Sequence, residues 1–144
     1  MKKKIIFSLA LFLAIFSFTG ANAAERPVKD SAIIFIYRPG QFSGAGANWA
    51  IYVDDKKICK LSNNKYLFVV VPAGKHTISS RIGGVGMFKK NTELEIEVEE
   101  GGDYYVACNI KSSITRTRLE LIEVAKSTGK KEIDKMSIDN CLDD

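Results

Sequence analysis

Thr92-Glu93-Leu94-Glu95-Ile96-Glu97-Val98-Glu99 is the stretch that decides the fold class. Leu94, Ile96 and Val98 alternate with four glutamates, and a repeat of two belongs to an extended chain, whose successive side chains point to opposite faces. One face is apolar and seeks a core; the other is anionic and wet, as in a half-buried strand of an antiparallel sheet. Alternate residues of a strand stand about 7 Å apart and do not converge, so the glutamates read as a solvated face and not as a cation site. Arg116 and Arg118, further along, are placed to face this row as cross-strand charge partners.

The same period recurs on both sides of that strand. Candidate strands are Ala32 to Arg38, Trp49 to Asp54, Lys57 to Leu61, Lys65 to Val71, Lys75 to Ile82, Thr92 to Glu99, Asp103 to Lys111 and Arg116 to Val124. Short strands punctuated by turn residues at this spacing predict an all-β chain, a single β-sandwich of seven to eight strands over residues 31–124. Ile33 to Ile36 and Leu67 to Val71 are apolar at every position, so both faces of those strands need cover. A short C-terminal helix, Lys130 to Ser137 after Gly129, offers Ile133 and Met136 as a small apolar stripe for their outer face; residues 125–144 are helix and tail. If the helix leaves that face open, the open area becomes a partner site.

Turn chemistry supports this layout. In Arg38-Pro39-Gly40-Gln41, Pro and Gly stand where a type II turn needs a fixed negative and then a positive φ. Pro72-Ala73-Gly74-Lys75 and Glu100-Gly101-Gly102-Asp103 read as hairpin links. The loop from Gln41 to Asn48 and the stretch Gly83-Gly84-Val85-Gly86 are rich in small residues and read as mobile; neither opens a helix or carries the Lys-Ser or Lys-Thr of a phosphate cradle.

The chain begins with Lys2, Lys3 and Lys4, an apolar run from Ile5 to Phe18, and the small-residue exit Ala21-Asn22-Ala23. This is the pattern of an export signal cut before Ala24, so residues 1–23 are expected to be removed, with 24–30 as a polar lead-in. The apolar run is shorter than the roughly 20 residues needed to cross a bilayer, and no cysteine near the cut can accept a lipid. The expected location is the periplasm, with release to the exterior as the other outcome. Without the three leader lysines, 18 basic side chains balance 17 acidic ones, so the formal charge of +4 shrinks to about +1. That balance, and the lack of an aromatic-interleaved basic stripe, argues against nucleic acid as a partner.

No reactive constellation stands out. His76 is the sole histidine; it cannot build a multi-histidine metal site, and its expected role is a hydrogen bond to a neighbouring strand or loop. No metal ligand set, catalytic residue or cofactor is assigned. Of Cys59, Cys108 and Cys141, one pair can bridge in an oxidising compartment, and all three pairings are open; Cys108 shares a strand face with Val106 and Ile110 and suits a buried small hydrophobe. Phe42, Trp49 and Tyr52 surround the Gln41 to Asn48 loop, either as a recognition surface or as core.

Ile36-Tyr37-Arg38-Pro39-Gly40, Ile51-Tyr52-Val53-Asp54, Val71-Pro72-Ala73-Gly74-Lys75-His76-Thr77-Ile78 and Gly102-Asp103-Tyr104-Tyr105-Val106, in that order, resemble the small exported bacterial proteins grouped as domain of unknown function 2846. These are similar to PEGA and carboxypeptidase-regulatory-like sandwiches. The resemblance spans Ser31 to Val124 and implies a prealbumin-like sandwich in the cell envelope, with no activity or catalytic residue to carry over. Asp55 and Cys59 stand where the pattern carries glycine. The expected function is a noncatalytic envelope protein that binds another protein or an envelope component through a sheet edge or the loop. The alternatives are an uncharacterised hydrolase or hydrolase inhibitor, and a homo-oligomer closed through the two-sided apolar strands.

Overall fold

A computed structural model describes residues 30–42, 44–82, 92–113 and 117–141. The elements are β1 (Ser31–Arg38), β2 (Trp49–Val53), β3 (Lys56–Leu61), β4 (Lys65–Pro72), β5 (Gly74–Ile82), β6 (Thr92–Val98), β7 (Asp103–Ser112), β8 (Thr117–Val124), α1 (Lys126–Ile133) and β9 (Ser137–Ile138). They form an all-β sandwich: a five-stranded sheet ordered β8-β7-β1-β4-β9 faces a four-stranded sheet ordered β3-β2-β5-β6. The leader, residues 24–29, Gly83-Gly84-Val85-Gly86 and Arg116 lie outside the described residues.

Alternation sorts the side chains as the sequence implies. Ile34 and Ile36 of β1, Ile51 of β2, Leu61 of β3, Ile78 of β5, Val98 of β6, Val106 and Cys108 of β7 and Leu119 of β8 are fully or almost fully buried between the sheets. Each large aliphatic removed from water there contributes about 1.5–3 kcal/mol before chain entropy is charged against it. The glutamates of β6 line the outer face of the four-stranded sheet, opposite Lys75, Thr77 and Ser79 of β5. Arg118 is not their partner: it sits in the other sheet, in register with Lys111.

Several local expectations are corrected. The Pro72 to Lys75 and Glu100 to Asp103 segments are not hairpin links, because β4 and β7 belong to one sheet and β5 and β6 to the other; both are corners that carry the chain across the sandwich. The corners meet at the start of β1, where Ala73 N donates to Asp30 O and Gly101 N to Ser31 O. Gly40 does not take a positive φ, so no type II turn forms there; the loop reverses later, at Gly44, with φ of 77°. A true hairpin joins β2 to β3 through Asp54 and Asp55, both left-handed at φ 49° and 63°, the signature of a type I′ turn that short carboxylate side chains tolerate without glycine.

The helix starts four residues before the expected Lys130, and Gly129 lies inside it. A side chain at Gly129 would stand 2.3 Å from Tyr105 Cβ and Cγ, so the glycine is there to let α1 lie on β7. Beyond α1 the chain adds the short β9 to the edge of β4, a ninth strand with no periodic signal. The tail is then stapled by a Cys59–Cys141 disulfide that spans 82 residues, while Cys108 stays a buried free thiol. Asp139, 6% exposed, ties the two sheets here: its backbone N–H donates to Tyr66 O, and its carboxylate accepts from Ser62 N and Cys141 N.

Two outcomes follow. Gly129→Ala, favourable by about 1 kcal/mol in an ordinary helix, will instead destabilise by roughly 1–3 kcal/mol because Tyr105 must give way; chemical denaturation checks the sign. Thiol titration will find no reactive cysteine in the native protein and one after unfolding without reductant, and Cys141→Ser will lower stability by roughly 2–4 kcal/mol.

Candidate functional site

The outer face of the five-stranded sheet carries a row of aromatic side chains. Register places Phe68 of β4 beside Phe35 of β1, and Phe35 beside Tyr105 of β7; the ring centroids are 6.1 Å and 5.0 Å apart. Ile33 pairs with Val70 in the next row, and Tyr37 with Tyr66 in the row below. These residues point outward because their neighbours Ile34, Ile36, Leu67 and Val71 point into the core.

α1 covers one side of this face. Gly129 rests on Tyr105, and Ile133 with Met136 packs against Tyr37, Tyr105 and Ala107, while Lys126 Nζ bonds Asp103 Oδ2 at 2.5 Å. Among the described residues, cover therefore lies over β7 and the lower half of β1 and does not extend across β4 as expected. Phe68 and Val70 each remain 48% exposed, with Ile138 at 52% on the flanking β9. An aromatic and an aliphatic side chain held open beside half-buried Ile33 and Phe35 form a contiguous apolar area, of the kind that marks interaction surfaces.

The loop aromatics are not brought together. Phe42 projects fully into solvent, Trp49 is 2% exposed in the core, and Tyr52 lies on the outer face of the opposite sheet beneath the Arg81 guanidinium, 4.3 Å from its ring centre. The loop is tied down at several points. Arg38, completely buried, donates through Nη1 to Ala47 O at 2.5 Å and through Nη2 to Gly44 O at 2.6 Å. Asn63 Oδ1 accepts from Gln41 N, and Gln41 Oε1 accepts from Ile110 N. Burial pushes the Arg38 pKa down, opposed in part by Cys108; burial pushes the Cys108 thiol up, with Arg38 opposing, which leaves an inert thiol. Reading Arg38 only as a turn residue missed its place in the core, although an arginine in phase with Ala32, Ile34 and Ile36 was the available signal.

His76 bonds on both sides of its ring. Nε2 lies 2.8 Å from Pro72 O, which can only accept, and Nδ1 lies 2.6 Å from Asp54 Oδ2. Donating to both partners takes the imidazolium, with no lone pair left for a general base. Burial lowers the His76 pKa, but the hydrogen bonds it donates to Asp54 and Pro72 and the Asp54 charge outweigh it, and the net shift is upward. Asp54 is lowered, first by the His76 hydrogen bond and then by Thr77 N. The pair locks the β2–β3 turn to the β4–β5 corner.

Among the described residues, one group of metal-ligating types converges: Cys59, Asp139 and Cys141, with ligand atoms within 4.8 Å. Both sulfurs are spent in the disulfide, so the oxidised chain offers a single carboxylate there. An open depression of about 210 Å³ between Lys75, Glu95, Ile96 and Glu97 is smaller than the roughly 300–1,000 Å³ of small-molecule sites. No helix among the described residues is long and apolar enough to cross a membrane.

Fold and site together define a small two-sheet sandwich with one partly open apolar face. The family model described as "Protein of unknown function (DUF2846)" matches residues 28–119, and the chain belongs to that family. It is also similar to an uncharacterized protein of Haemophilus influenzae, 28% identical over 118 residues, which cover 82% of this chain and 67% of that one.

The His76–Asp54 pair has a pH window. A raised His76 pKa contributes stability that is complete below the unfolded value near 6.5 and is lost as pH rises through the folded value. A lowered Asp54 pKa contributes above about 3.8 and is lost on acidification. His76→Gln will therefore cost most between pH 4 and 6.5, about 1–2 kcal/mol with half-exposed Asp54 keeping it near the lower end. The gap to wild type will narrow by pH 8.5 in urea unfolding.

Proposed function

We propose that this protein is a noncatalytic binding module of the bacterial cell envelope, exported by its leader to the periplasm, that docks a protein partner on the open face around Phe68 and Val70. The observation that carries this reading is that these two side chains stay about half exposed beside an otherwise covered aromatic row. Desolvating a Phe and a Val at a protein contact can contribute several kcal/mol. The leader pattern supports the location, and the engaged ring of His76 supports a noncatalytic role.

A second reading has its own observation. Phe42 is fully exposed on a loop that Arg38 and Gln41 pin from below, as an inhibitor presents a fixed side chain to a hydrolase.

Photo-crosslinking in the envelope, with the reactive side chain placed at position 68 or 42, separates the two. A discrete adduct from position 68, lost in Val70→Ser with the melting temperature within a few degrees, supports the face. An adduct from position 42 alone supports the inhibitor, adducts of twice the chain mass support a homo-oligomer, and none from either position counts against docking.

A further inference from the structure

We propose that the free stretch of the β4 edge, from Leu67 to Val71, is a strand-addition site that takes an extended segment of a partner polypeptide into the five-stranded sheet. The inference rests on the docking reading above and names how the partner is held. This edge already accepts a strand, since β9 is seated on it, with Ser137 beside Lys65 and Ile138 beside Tyr66. Asp139 N donates to Tyr66 O at 2.7 Å, so the main-chain groups of Tyr66 point away from β1. Main-chain direction alternates along a strand, so the N–H and C=O of Phe68 and Val70 point the same way. The other side of the ladder agrees: Ile33, in register with Val70, sends its N–H to Gly102 O and away from β4.

The slot has two ends. Past Asp139 the tail leaves the edge, turning at Cys141 with φ of 51° to reach Cys59 on β3. At the far end Pro72 has no N–H, and its carbonyl is taken by His76. Among the described residues, two donors and two acceptors remain between these stops, and the side chains of the same two residues are the half-exposed Phe68 and Val70. An exposed edge of this kind recognises extended backbone by main-chain hydrogen bonds and selects side chains at alternate positions. The matching partner is an uncharged extended segment with apolar side chains at every second residue; β9 supplies one such side chain, Ile138, to the same face.

The test uses isotope-labelled mature protein and a blocked five-residue peptide of alternating valine and threonine at millimolar concentration. The Phe68 and Val70 amides should shift and exchange with solvent at least tenfold more slowly, with no comparable change on β3 or β8. Val70→Pro removes an N–H that faces the slot and not β1, so it should abolish these effects while the variant stays folded; Val70→Thr should retain them. Unchanged Phe68 and Val70 amides in the wild type, which needs no variant, would overturn the inference, as would equal protection of Phe68 in Val70→Pro. A position-68 adduct that persists in Val70→Pro but is lost in Val70→Ser would overturn strand addition while leaving face docking standing.

Discussion

β1 sits at the centre of the five-stranded sheet, parallel to β7 and antiparallel to β4, and its apolar side chains point to both faces. A strand of that composition cannot leave either face to water without exposing isoleucine or phenylalanine. The inner face is met by the four-stranded sheet. For the outer face the described residues supply eight residues of helix and a few beyond it, which cover Tyr105, Tyr37 and Ala107. The open area at Phe68 and Val70 is what this short segment does not reach. Gly129 sets where the cover falls, since contact with Tyr105 draws α1 towards β7 and away from β4.

Strand positions were legible because each of the eight long strands carries its own period of two or an unbroken apolar run, and their observed ends differ from the expected ones by a residue or so. Connections were less legible. A Pro-Gly corner between sheets and a hairpin within one sheet use the same residues, and only pairing partners distinguish them. β9 was invisible because a two-residue strand has no period, and Asp139 because a carboxylate that accepts backbone N–H groups looks like any surface acid in sequence. Gly129 misled for a physical reason: glycine usually marks a helix boundary, and the ring that requires it here is contributed by Tyr105, 24 residues away.

The candidate site shows the same division. That Ile33 to Ile36 and Leu67 to Val71 need cover on two sides followed from composition, and so did the alternative that an uncovered part would face a partner. Which part stays open depended on the helix register. The loop aromatics illustrate the reverse case, because closeness in sequence suggested one surface, whereas alternation sends Trp49 inward and Tyr52 outward, and Phe42 lies on the loop.

The disulfide also sets an order of events. Cys59 and Cys108 both precede Cys141 along the chain, so a chain oxidised from its N-terminal side would meet a non-native pair first. What separates them is burial: once β7 enters the sandwich, Cys108 is wholly enclosed and its thiol is held protonated, whereas Cys141 arrives on a tail that can still move to Cys59. Correct pairing is therefore favoured when packing runs ahead of oxidation, because a packed Cys108 is closed to an oxidant while Cys141 is not.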